Sequence, residues 1–151
     1  TQCEGKCVRG IKGEPVGIGR LERFVADWHR AQKRAPAAKP APNGHKVAVI
    51  GAGPSGLTCA GDLAKLGYAV TIFEALHLAG GVLVYGIPEL RLPKALGQLG
   101  SATVEALGVA MRINSVVGRM VSVDKLLGED DTVFVGPGAG LPTSGRSPGR
   151  T

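Results

Sequence analysis

Aromatic residues are scarce in this 151-residue chain, at 4%, and it has only three cysteines. Cys3, Cys7 and Cys59 are too few and too unevenly placed for a disulfide framework. No apolar run approaches the ~20 residues that a membrane span requires, and no signal-peptide pattern is present. A soluble, cytoplasmic protein is the expectation. The first residue is Thr rather than Met, so the chain reads as an excerpt of something longer. Acidic residues are outnumbered, 12 against 18 lysines and arginines, for a net charge of +6. The imbalance is local: residues 1–46 carry ten basic and four acidic groups, and the remainder carries eight of each. A basic arm could meet nucleic acid or an acidic protein, but no alternation of aromatic and basic residues accompanies it. A solvated basic linker fits better, and neither a nucleic acid nor a membrane partner is expected.

Glycine is abundant, at 24 residues, and 44% apolar residues can supply the core of one domain. The most informative stretch is Lys46-Val-Ala-Val-Ile-Gly51-Ala52-Gly53-Pro54-Ser55-Gly56. Four β-prone residues run into a GxGxxG turn, and a helical pattern follows at once, which is the context of a dinucleotide fingerprint. Gly51 permits the turn, Gly53 lets the backbone approach a pyrophosphate, and Gly56 lets the helix pack close to the strand. The helix N-terminus offers free N–H groups to the anion. Leu57, Ala60, Leu63, Ala64 and Leu66 form the expected buried face of that helix, with Cys59 as a small core residue and Gly67 as the C-terminal cap. A second strand, Tyr68–Phe73, ends at Glu74, 18 residues past Gly56. That is close to the offset at which an acid meets the ribose hydroxyls, and a carboxylate there argues against a 2′-phosphate. An adenine-dinucleotide-binding α/β fold of Rossmann type follows.

The flanks are less decisive. Residues 1–17 read as irregular loop. Cys3-x3-Cys7 is either a pair of reduced thiols or half of a four-ligand metal or cluster site. Ile18, Leu21, Val25 and Trp28, with Phe24 beside them, predict a helix to about Ala31. Glu22 borders that stripe, and on pattern alone is a surface residue. Pro36, Pro40 and Pro42 mark residues 33–45 as a semi-rigid linker, and His45 reads as a surface residue without a partner. Ala79–Pro88 is a second glycine-rich loop, either a crossover or a cover over the middle of a cofactor, and Arg91 is a natural charge partner for a diphosphate. A helix from about Pro93 to Leu107 is weakened by Gly97 and Gly100, by ~1 kcal/mol each. A strand at Val109–Ile113, a hairpin-like stretch at Ser115–Val123, a helical turn at Asp124–Leu127 and a strand at Thr132–Val135 follow. The last strand leads to Gly136-Pro-Gly138, and the polar tail from Ser144 reads as disordered.

With these residues in hand, the chain resembles the small (beta) subunit of NADPH-dependent glutamate synthase and its relatives, the beta subunit of NADH-dependent ferredoxin:NADP oxidoreductase most closely. The resemblance rests on Cys3-Glu-Gly-Lys-Cys7, Gly13–Phe24, Val47–Gly56, Phe73-Glu74, Gly80-Gly81, Tyr85–Pro88, Arg91-Leu-Pro-Lys94, Val116–Gly118 and Val133–Gly136. It implies that Gly51, Ala52, Gly53, Pro54, Ser55 and Gly56 bind FAD, with Glu74 and Ala75 at the adenosine ribose. Gly81, Val82 and Arg91 would line the isoalloxazine and diphosphate, Val117 would meet adenine through its backbone, and Gly136 and Gly138 would close over the cofactor. It further implies that Cys3, Cys7 and Glu22 are part of the ligand set of [4Fe–4S] clusters.

The domains implied are the end of a helical iron–sulfur domain (1–32), the linker (33–45), an incomplete FAD-binding Rossmann-like segment (46–142) and the tail (143–151). Electrons would pass between NAD(P)H, FAD and the clusters, and on to a partner subunit or domain. The upstream cysteines, the nicotinamide-binding domain for NADP(H) and the segment closing the FAD domain are absent, and Pro137 replaces the family's usual Thr. On this reading the chain is a fragment, inactive by itself; the alternative is a stand-alone dinucleotide-binding module without catalysis. No catalytic residue is assigned.

Overall fold

The computed structural model describes residues 1–32 and 38–138. The chain divides into two compact units, Thr1–Pro36 and Ala37–Thr151.

The first unit is helical from its start. Where an irregular loop was expected, α1 (Gln2–Gly5) is followed by a 3-10 turn over Val8–Ile11. A capping box explains α1: the Thr1 hydroxyl accepts from the Glu4 N–H at 3.3 Å, and the Glu4 carboxylate accepts from the terminal ammonium at 3.0 Å. Helix α2 (Ile18–Ala31) carries the expected apolar stripe, but none of its residues is buried. Leu21, Phe24, Val25 and Trp28 are all more than half exposed. Asp27 accepts from Arg23 at 2.8 Å and from Arg30, i,i+4 and i,i+3 pairs that support an exposed helix only weakly.

In the second unit, four parallel strands stand in the order β3-β2-β1-β4. They are β1 (Lys46–Ile50), β2 (Ala69–Phe73), β3 (Ala110–Arg112) and β4 (Thr132–Val135). Val47, Ala48 and Val49 are buried in succession, as a strand covered on both faces requires. On one face Val47, Val49, Val70 and Ile72 pack against Leu57, Ala60 and Ala64 of α3 (Pro54–Lys65) and Val104 of α5 (Lys94–Ala106). On the other, Ala48 and Phe73 meet Leu126 of α6 (Val123–Glu129), whose cap, Ser122, accepts from the Lys125 N–H at 3.1 Å. Among the described residues, eleven buried apolar side chains make up the first of these clusters and three the second.

Several expectations need correction. Leu66 is 68% exposed, because α3 ends at Lys65 and Leu66 has left its stripe. Cys59 is half-buried rather than a core residue. The loop Ala79–Pro88 contains a helical turn, α4 (Val82–Tyr85). His45 is exposed as expected but has a partner: its Nδ1 lies 3.3 Å from Asp131, which also accepts from the Lys46 N–H at 2.8 Å. The hairpin-like stretch is a single bridge, Val117 with Val121, around a turn at Gly118. Gly67 caps α3 as expected, with φ +88°. There the end of the linker is fastened: the Asn43 N–H donates to the Gly67 carbonyl at 3.0 Å, and its side-chain amide donates to the Leu66 carbonyl at 3.2 Å. Residues 33–37, with Pro36, and the tail from 139 lie outside the described residues. Among the described residues no helix is long and apolar enough to cross a membrane.

Candidate functional site

The carboxyl ends of β1, β2 and β4 meet at the glycine turn. In an open parallel sheet the strand order reverses beside the first strand, and a crevice opens outside the carboxyl ends there. Gly51 ends β1 with φ +98°, and a Cβ on it would stand 2.4 Å from the Gly136 carbonyl oxygen. Gly136 is held there because its N–H donates to the Ile50 carbonyl at 2.8 Å, continuing the ladder of β1 and β4. A Cβ on Gly56 would stand 1.9 Å from the Gly51 oxygen, so the absence of a side chain is what lets α3 leave the strand so abruptly. Gly53 differs. It is the N-cap of α3, has no side-chain capping bond, and faces a space with no atom within 4 Å of a built Cβ. A helix N-terminus with unpaired N–H groups and an open approach suits an anion. Pro54 at the first helical position supplies no N–H of its own and Ser55 is exposed, so the approach stays clear.

Glu74 is the one buried charged residue among those described, at 7% exposure. One carboxylate oxygen accepts from the Ala52 N–H at 2.7 Å, and the other from the Leu76 N–H at 2.8 Å. The acid therefore ties the end of β2 to the glycine turn, and each oxygen retains a lone pair for a further donor. On the facing side the Gly80 N–H donates to the Ala52 carbonyl at 2.7 Å, and a Cβ on Gly81 would lie 2.9 Å from the Gly53 Cα.

Seven of the residues singled out in the sequence thus come together: Gly51, Ala52, Gly53, Gly56, Glu74, Gly81 and Gly136. The others lie more loosely. Ala75, Val82 and Arg91 are exposed, and the Arg91 N–H donates to Pro88 in a turn. Val117 is half-buried, and Gly138, at φ +71°, ends the described residues. Spacing did not disclose Lys94, whose ammonium reaches the end of α4. A lysine at a helix start carries no local signal of that contact.

The sulfur and acid candidates lie in the first unit. Cys3 is exposed on α1, and Glu22 is exposed on α2, beside a shallow apolar groove that Ile18, Leu21 and Val25 also line. Cys7 is half-buried, and its Sγ accepts from the Val16 N–H at 3.5 Å. That bond, with the N–H groups of Arg9 and Gly10, holds the Cys7 thiol below its ordinary pKa, whereas burial pushes Cys59 up. Iodoacetamide at pH 8 is accordingly expected to alkylate Cys7 roughly tenfold faster than Cys59, as read by peptide mass spectrometry over time; equal rates would contradict it. Among the described residues no three His, Cys, Asp or Glu side chains gather to hold a metal ion. Cys3, Cys7 and Glu22 therefore do not form a cluster site between them. The glycine cradle does fit a dinucleotide, since Gly53 leaves open the space that a Cβ would fill.

Comparison with known proteins agrees with this geometry. The chain is 42% identical to the NADP(+)-dependent formate dehydrogenase subunit beta of Moorella thermoacetica, over 90% of this chain and 22% of that protein. It is 38% identical to glutamate synthase [NADH] of Saccharomyces cerevisiae, over 93% of this chain and 7% of that protein. It therefore spans less than a quarter of the length of either relative. Among solved structures, Mycobacterium tuberculosis FprA in complex with NADPH superposes with a TM-score of 0.55 at 26% identity, covering 60% of this chain and 22% of that one. The pattern that defines the pyridine nucleotide-disulphide oxidoreductases runs over residues 8–140, through the glycine turn, Glu74 and Gly136. With a parallel sheet carrying that turn at its switch point, the chain belongs to the pyridine nucleotide-disulphide oxidoreductase family.

Proposed function

We propose that this chain is the FAD-binding part of an NAD(P)H-linked FAD/iron–sulfur oxidoreductase subunit, similar in layout to the small subunit of glutamate synthase. The observation that carries the reading is the open Gly53 at the start of α3, with the buried Glu74 carboxylate bonded to the adjacent Ala52 N–H. The names of the relatives support it, one being the beta subunit of an NADP-dependent dehydrogenase and another an NADH-linked glutamate synthase.

Bound FAD would supply acceptance of a hydride and release of its electrons one at a time. The chain's own residues would bind and orient it. The first turn of α3 receives the diphosphate, and Arg91 balances its charge. Glu74, with Ala75 beside it, uses its remaining lone pairs for the ribose hydroxyls. Gly81 and Val82 line the cofactor's middle, Val117 offers backbone groups to adenine, and Gly136 and Gly138 close the far side. Cys3, Cys7 and Glu22 contribute a partial ligand set for [4Fe–4S] clusters, the other ligands and the NADP(H) site lying outside these residues. A partner subunit or domain then exchanges electrons with the assembly, in the cytoplasm.

Titration of the 151-residue chain with FAD, NAD+ and NADP+, followed by flavin fluorescence and equilibrium dialysis, tests this reading. FAD is expected to bind and the nicotinamide dinucleotides not to displace it. Retention of NAD+ or NADP+ in preference to FAD, or of none of the three, would overturn the assignment.

A further inference from the structure

Lys94 is the first residue of α5, and its backbone N–H is capped by the Glu89 carboxylate at 3.0 Å. Its half-buried side chain crosses to α4, where the ammonium donates to the carbonyl of Ile87 and, at 3.5 Å, to that of Leu83. Carbonyls at the end of a one-turn helix have few backbone donors, and a cation is the strongest partner for them. The other end of α4 rests on the cofactor cradle. Its N-cap is Gly81, the residue that comes close to Gly53, and the preceding Gly80 donates its N–H to the Ala52 carbonyl at 2.7 Å. Val84, 9% exposed, fills the gap between Gly80 and Gly97. One side chain on α5 therefore spans α4 and sets where the bend at Gly80 and Gly81 meets the glycine turn.

We propose that Lys94 is a positioning residue for the cofactor site: by holding the Leu83 and Ile87 carbonyls it keeps α4, and with it Gly80 and Gly81, preformed against Ala52 and Gly53. The proposal rests on the FAD reading above for its ligand. A short helix of four residues has no stability of its own. Without the ammonium, α4 samples positions in which the Gly80 bond to Ala52 is open, and FAD affinity falls by the fraction of time the cradle is closed. Arg can donate to both carbonyls and should serve in place of Lys, whereas Met fills the same space and donates nothing.

The test compares Lys94→Met and Lys94→Arg in the full chain, first without flavin. In Lys94→Met, amide hydrogen exchange is expected to rise roughly tenfold at Gly80, Gly86 and Ile87, while the Gly51 amide, bonded to Phe73 in the sheet, keeps its native rate. FAD affinity should fall by a similar factor, and Lys94→Arg should restore both to within about threefold. An unchanged Gly80 rate in Lys94→Met overturns the proposal. So does a parallel rise at Gly80 and Gly51, which signals general destabilisation. If Lys94→Met does not fold, Lys94→Gln takes its place, since its shorter amide keeps a donor but no charge. It is expected to show a rise at Gly80 smaller than tenfold and still none at Gly51, and an unchanged Gly80 rate overturns the proposal there too. Should the native chain take up no FAD, the functional reading fails, and the exchange rates still decide whether Lys94 positions α4.

Discussion

Gly56→Ala is expected to destabilise the parallel-sheet unit severely, whereas Gly53→Ala leaves it folded and abolishes tight cofactor binding. Both changes add one methyl group at the start of α3, one at its N-cap and one in its first turn. At Gly56 the methyl would meet the Gly51 oxygen at 1.9 Å, the Gly51 carbonyl carbon at 3.0 Å and Val49 Cγ1 at 3.3 Å. The backbone it strikes cannot yield, because the Gly51 N–H is bonded to Phe73 at 2.8 Å and Gly136 stands against its other side. Helix α3 must lift away from β1, which disturbs the packing of Leu57, Ala60 and Ala64. Overpacking ordinarily costs 1–3 kcal/mol, and a collision with fixed backbone belongs at about 3 kcal/mol or above, a fall in Tm of roughly 15 °C.

At Gly53 neither obstacle exists: φ is −72°, which any residue adopts, and no atom lies within 4 Å of the new methyl. Stability should change by less than ~1 kcal/mol. The methyl does occupy the space through which a diphosphate approaches the helix, so FAD affinity should fall at least ~10-fold. Thermal melts by circular dichroism together with flavin titration separate the two effects. Equal melting temperatures for the two variants would refute the packing argument, and native FAD affinity in Gly53→Ala would refute the cradle.

Glu74→Gln, isosteric and uncharged, is expected to be nearly as damaging as Glu74→Ala. The two carboxylate oxygens accept from two different backbone N–H groups, of Ala52 and Leu76. A glutamine amide has one oxygen, so whichever way it turns, its NH2 group confronts one of those N–H groups, donor against donor. A buried unsatisfied donor costs about 1–3 kcal/mol, and the bond lost was to a charged acceptor. About 2 kcal/mol is expected for Gln and about 3 kcal/mol for Ala, read as shifts in the urea midpoint at unchanged slope. Glu74→Asp keeps both oxygens on a shorter stem and should lose reach to at least one partner. The amide resonances of Ala52 and Leu76 report the bonds directly. A Gln variant of native stability would show that one of the two bonds contributes nothing.

The position of Glu74 is legible in the sequence, but its structural role is not. Its position after a strand and 18 residues beyond the glycine turn is a local pattern, and the offset alone suggested a ribose ligand. That the same carboxylate secures the Ala52 N–H, 22 residues away, depends on β1 and β2 lying side by side in register, with Ile50 beside Phe73. The capping box at Thr1 and Glu4 is an equally local signal, but the four glycines that follow it carry the opposite one, for loop. The stripe on α2 was correctly placed, but its exposure was not foreseeable: periodicity states which residues share a face, and only neighbouring elements decide whether that face is covered.

By itself, then, the sequence determined the β1–α3–β2 unit, its glycine turn, the acid at its end and the later helix and strands. These follow from side-chain period and turn chemistry, which act over a few residues. Only the tertiary structure decided which distant groups meet. It set Gly136 against Gly51, His45 against Asp131 and the Lys94 ammonium on the carbonyls that end α4. Those meetings depend on the strand order β3-β2-β1-β4 and on how helices pack across it, and hydrophobic burial sets both without leaving a local trace at the residues it brings together.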